Sequence, residues 1–235
     1  MRRGGRLAVW LVSCVMGLPA LAQEITAARY AEPTTRYAHG VLGDAVEWGA
    51  LVLELSDGTR HRITLPQALV FEDIAPRLAD LDHDGTPEVI VVETSLDKGA
   101  RMSIYGPKGR ITATPHIGRS HRWLAPIGAA DLDGDGRTEI AYIDRPHLAK
   151  TLRIWRYEDG TLRPVADHAG LSNHKIGWDF IAGGIRTCGN TPELITANAD
   201  WSRVMATTFQ GGRVKSHEIG AYTSPQSLTA ALTCP

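Results

Sequence analysis

Two nine-residue stretches repeat one pattern and limit the kind of fold available. Asp80-Leu81-Asp82-His83-Asp84-Gly85-Thr86-Pro87-Glu88 runs into Val89-Ile90-Val91-Val92, and Asp131-Leu132-Asp133-Gly134-Asp135-Gly136-Arg137-Thr138-Glu139 runs into Ile140-Ala141-Tyr142-Ile143. Each sets four carboxylates and a turn glycine ahead of an apolar run. Two copies in register make the chain a repeat protein, and repeats of this kind bury their faces by packing on one another.

The terminal glutamate sets the period. Glu88 and Glu139 are followed by Glu193 in Thr191-Pro192-Glu193-Leu194-Ile195, a third copy that has lost its aspartates. Four short strands per copy, separated by turn signals such as Gly106-Pro107-Lys108-Gly109 and Glu158-Asp159-Gly160, give a unit of about 50 residues. The stretch ahead of Val70 has room for a divergent first unit around the turn Ser56-Asp57-Gly58. The expected fold is all-β, a small β-propeller of four four-stranded blades at about 23–70, 71–120, 121–175 and 176–235.

The loops hold only oxygen donors, which favours calcium over zinc or copper. Asp80, Asp82, Asp84 and Glu88 in the first, and Asp131, Asp133, Asp135 and Glu139 in the second, would supply carboxylates, with Thr86 or Thr138 giving a neutral backbone carbonyl. An EF-hand requires its bidentate glutamate at position twelve, where this chain has Val91 or Tyr142. The expectation is two structural Ca²⁺ sites.

The segments Ile127-Gly128-Ala129-Ala130-Asp131 through Glu139-Ile140 and Pro76-Arg77-Leu78-Ala79-Asp80 through Glu88-Val89 resemble the FG-GAP and VCBS repeats, the calcium-loop propellers related to integrin α-subunit heads. The resemblance implies a propeller with calcium between the first and second strands of a blade. It implies little about activity, because one fold serves many functions.

Arg2, Arg3 and Arg6 precede the apolar run Leu7 to Leu18 and the small-x-small site Ala20-Leu21-Ala22. This reads as a signal peptide over 1–22, leaving a single domain over 23–235 in the periplasm or secreted. Without those three arginines the 26 acidic residues outnumber the basic ones, so no nucleic acid or membrane insertion is expected. Cys188 and Cys234 are a disulfide candidate in an oxidising compartment.

Loops on the face opposite the calcium loops would gather Glu93, His121, Trp123, Asp144, Arg145, His147, Asn173, His174, Asn198 and Trp201. These are candidates for binding a protein or carbohydrate partner. The chain lacks G-x-S-x-G and H-E-x-x-H motifs, so the leading expectation is a non-enzymatic binding module at the cell envelope. The alternative is a small hydrolase or lyase with Asp144, His147 and His174 as its acid–base groups.

Overall fold

The computed structural model describes residues 23–234. The expected signal peptide lies outside them. The fold is all-β with one short helix. The first unit gives β1 (Ile25–Thr34), β2 (Glu47–Leu55) and β3 (Arg60–Thr64), followed by a short β4 (Leu69–Phe71). The second gives β5 (Arg77–Ala79), β6 (Glu88–Ser95), β7 (Gly99–Gly106) and β8 (Gly109–Ala113). The third gives β9 (Leu124–Ala130), β10 (Glu139–Asp144), β11 (Thr151–Glu158) and β12 (Thr161–Ala169). After β13 (Leu171–Ser172), the fourth gives β14 (Gly184–Thr187), β15 (Pro192–Asn198), β16 (Arg203–Gln210) and β17 (Arg213–Ala221), and α1 (Pro225–Ala231) ends the chain.

The hydrogen bonding groups these strands into three antiparallel sheets of eight, four and five strands, where four separate four-stranded blades were expected. The cause is β4. It pairs with β2 through Trp48 and Phe71, and with β6 through Leu69–Ser95, Val70–Thr94 and Phe71–Glu93, so it sews the first unit to the second. The first unit itself has three strands, with β2 between β1 and β3.

Burial follows the sequence pattern. Every residue of β6 and β10 is buried, as continuous apolar runs require of strands covered on both faces. The last strands, β8, β12 and β17, are largely open to solvent. The core runs between units in series. Leu51, Leu53 and Phe71 pack with Val89 and Tyr105; Ile90 and Ile104 pack with Leu124 and Ile140; Ile143 and Ile154 pack with Leu194 and Phe209.

The far side of the fourth unit is covered by α1, whose Leu228 is wholly buried with Ile195, Val204 and Ala206. Ser224 caps this helix and Pro225 opens it. The bonded pair Cys188–Cys234, Cα atoms 5.5 Å apart, ties the chain after the helix to the β14–β15 loop. A second tie crosses the molecule. In the β1–β2 loop, Val41 enters the core between the second and third units, its carbonyl accepts the Gly177 N–H at 3.1 Å, and the Tyr37 hydroxyl accepts the His121 N–H at 2.6 Å. Among the described residues no helix is long and apolar enough to cross a membrane.

Candidate metal centre and the opposite loop face

The β5–β6 and β9–β10 connections hold the acidic loops. Antiparallel pairing brings each loop back so that its closing glutamate, first residue of β6 or β10, lies beside the opening aspartate. Asp80, Asp82 and Glu88 converge, their carboxylate oxygens all within 4.8 Å of one another, and so do Asp131, Asp133 and Glu139. Glu88 also accepts the Leu81 N–H at 3.0 Å and Glu139 the Leu132 N–H at 2.9 Å, which locks the glutamates in place.

The fifth-position aspartates point elsewhere. Asp84 accepts the Thr86 N–H at 2.7 Å and hydroxyl at 2.6 Å, and Asp135 accepts the Arg137 N–H at 3.0 Å. Both shape the turn and stand outside the triads. Thr138 requires a correction. It stands at position eight, and its carbonyl accepts the Tyr157 N–H at 2.9 Å in the sheet. Position seven of the second loop, with the neutral carbonyl, is Arg137.

Two observations fit a hard cation. Asp80 Oδ1 and Asp133 Oδ1 are buried without any hydrogen-bond donor, which costs free energy unless something positive answers them. Burial, and beyond it the carboxylates of Asp82, Asp84 and Asp80, push the Glu88 carboxyl above its usual range. Burial raises Glu139 too, opposed by Arg156.

That arginine separates the two loops. Arg156, opposite Glu139 in the β10–β11 register, donates to Glu139 at 2.5 Å and to Asp133 at 2.8 Å, and pairs with Asp135 at 2.8 Å. In the first loop the neighbouring strand, β7, ends in Gly106 and brings no cation. In the third copy Arg186 pairs with Glu193 at 2.8 Å and no aspartate remains. One arginine thus faces the repeat glutamate in the second copy and one in the third, while β7 brings none to the first.

Residues 80–142 match the family model of the FG-GAP-like repeat. The match spans both acidic loops of this FG-GAP-like segment and the strands β6 to β9 between them. No curated protein matches the chain.

The opposite loop face is more structural than its polar sequence implies. Glu93 is fully buried, bonded to Arg101, to Arg110 at 3.2 Å and to the Tyr105 hydroxyl at 2.7 Å, so it is not offered to a ligand. Asn173 is buried and donates to the carbonyls of Ala125 and Pro126. Trp123 is buried and donates to the Glu72 carbonyl at 2.8 Å. Asn198 shapes the β15–β16 turn by accepting the Ser202 and Arg203 N–H groups.

The three acid–base candidates do not assemble. His147 and His174 meet at 3.2 Å, but Asp144 is clamped by Arg145 at 2.7 Å and Arg153 at 3.3 Å. Burial, then His174, holds His147 down at about 4, so it is neutral at pH 7. His121, Arg145 and His147 do share a cavity of about 420 Å³ with His39, Trp123 and the exposed Leu148 and Ile176.

Sequence reading missed the acidic group beneath that cavity. His39 Nδ1 lies 2.5 Å from the buried Glu72, which also accepts the Thr94 hydroxyl. Nearby Glu47 is pushed up to about 9 by burial, then by Glu72, Asp44 and Asp73. A folded-state proton held to about 9 against 4.5 makes stability fall as pH rises between those values and level off above them. Glu47→Gln keeps a neutral side chain at every pH. It is expected to be more stable than the parent at pH 8, with the gap closing by pH 5. Urea unfolding at both values checks this, and parallel pH profiles would show that Glu47 titrates normally.

Proposed function

We propose that the chain is an exported binding module whose FG-GAP-like loops are held by two calcium ions and whose opposite loop face takes a protein or glycan partner in the periplasm or outside the cell. The observation that carries the reading is the pair of carboxylate triads with undonated oxygens on Asp80 and Asp133, set in an FG-GAP-like repeat. Such a repeat suggests a β-propeller-like protein-binding module.

Asp80, Asp82 and Glu88 would hold one ion and Asp131, Asp133 and Glu139 the other, with the carbonyls of Thr86 and Arg137 as neutral donors. Bound calcium would supply two positive charges against the three carboxylates of each triad. The chain's own part is to fix them: β6 and β10 anchor the glutamates, and Gly85 (φ 90°) and Gly136 (φ 83°) allow the tight return. Extracellular calcium modules commonly work at about 10⁻⁴–10⁻³ M, so export and occupancy agree.

Equilibrium dialysis of residues 23–235 against calcium tests the reading. Two ions per chain are expected, one in Asp80→Ala, and magnesium should not replace them. Zero ions bound at 5 mM calcium (roughly fivefold above the top of the module range) would leave the loops as aspartate turns and end the proposal.

A further inference from the structure

On the same face as the cavity, a lysine of the chain sits among three aromatic rings. Lys175 Nζ lies 4.8 Å from the centre of the Trp201 ring, 5.3 Å from Tyr222 and 5.8 Å from Trp178. A cation within about 6 Å of a ring centre is attracted by the negative face of the ring. Here one cation draws on three faces.

The box is built from segments far apart in sequence. Trp178 comes from the β13–β14 connection, Trp201 from the β15–β16 turn, and Tyr222 follows β17. The rings brace one another edge to face, Trp178–Trp201 at 5.3 Å and Trp201–Tyr222 at 5.1 Å, while Phe180 stacks on Trp178 at 4.6 Å. Trp201 is held at φ 61°, a conformation bulky residues rarely adopt, by its N–H to the Asn198 carbonyl; Tyr222 donates its N–H to Ser202. Trp178, Trp201 and Tyr222 are half-buried and rest on the core of the fourth unit, which fixes the rings in place. Beside the box, a cavity of about 310 Å³ lined by His147, Lys150 and Ile176 gives the lysine stem room to swing out.

We propose that Trp178, Trp201 and Tyr222 form a binding box for an organic quaternary ammonium group, and that Lys175 fills it in the free protein. A primary ammonium is compact and strongly hydrated, so it forfeits more hydration in the box than a methylated one. Its hold comes from being tethered, at an effective concentration in the millimolar range. An incoming quaternary ammonium gains the same three ring faces and leaves less hydration behind. While Lys175 occupies the box, only the open fraction of molecules binds, and apparent affinity drops by that fraction. The site uses neither acidic loop, so its fate is separate from that of the calcium reading.

Choline titrated into the calcium-loaded protein tests this, followed by calorimetry and tryptophan fluorescence, with 3,3-dimethylbutanol as the uncharged isostere. Lys175→Gln should bind choline about tenfold or more tighter than the parent. Lys175→Arg, still cationic, should stay as weak as the parent, and adding Trp201→Ala to Lys175→Gln should abolish binding. The isostere should bind none of them. If Lys175→Gln binds choline no tighter than the parent, or binds the isostere equally well, the proposal falls. Should that variant fail to fold, the parent decides: the Lys175 side-chain methylene protons should resonate upfield under the rings and move back as choline is added. Unmoved signals at saturating choline would overturn it.

Discussion

Chelating calcium from the folded protein is expected to lower its melting temperature by about 10–20 °C. One ion at a hundredfold excess over its dissociation constant stabilises by about 2.7 kcal/mol, and a chain of this size shifts by about 2–4 °C per kcal/mol. The two loops should not share the loss equally. Arg156 already answers Glu139, Asp133 and Asp135, whereas nothing positive faces Asp80, Asp82 and Glu88 from β7. An ion at the second loop therefore gains less. Asp80→Ala should remove more of the calcium-dependent increment than Asp131→Ala. The increment is the quantity to compare, because Asp131 also accepts the N–H groups of Gly134, Asp135 and Gly136 and its loss harms the loop without any ion. Melts in EDTA and in calcium for the parent and both variants give the answer. An unchanged midpoint in EDTA would remove calcium from the account of stability, and equal increments would remove Arg156 from the account of the difference.

Glu93→Ala is expected to cost about 3–5 kcal/mol, the range for a buried ion pair that loses one member. The glutamate is the shared acceptor of Arg101, Arg110 and the Tyr105 hydroxyl, and the Arg101 side chain is only 17 % exposed. Removing the carboxylate leaves a guanidinium with little water and no counter-charge. Glu93→Gln keeps an acceptor for Tyr105 and should lose less. Urea denaturation of the three proteins, with the slopes compared to check that the unfolding remains two-state, measures both. A loss under 1 kcal/mol in Glu93→Ala would mean that the cluster is well solvated, and Glu93 would return to the pool of surface ligand residues.

These two expectations show where sequence was readable and where it was not. The repeats were readable because their information is local: a turn glycine, a closing glutamate and an apolar run lie within a dozen residues, and β6, β10 and β15 fall where that pattern places them. The convergence of Asp80 with Glu88 follows from the same span. β1 was not readable, because Ile25–Thr34 is exposed over much of its length and shows no clear alternation. The bridging role of β4 depends on two partners elsewhere in the chain. Glu93 misled because a polar residue in an apolar strand reads as surface when its counter-charges, Arg101 and Arg110, come from the following strands. Arg156 was missed for the same reason: its meaning lies in the β10–β11 register, not in its neighbours along the chain. The helix had a cap signal in Ser224-Pro225, but seven residues are too few to show a periodic apolar face.

The strap formed by the β1–β2 loop imposes an order of assembly. Val41 and Gly177 are hydrogen-bonded yet lie far apart along the chain, with the second and third units between them. As the polypeptide emerges, the first unit has no docking place for this strap until Trp123 and the segment around Gly177 have been made. Contacts of such long range form after local hairpins, because closing the loop between them costs entropy first. The strap is therefore late to dock, whereas β2 is covered by Val89, Val91 and Tyr105 of the second unit and can be buried before the strap closes.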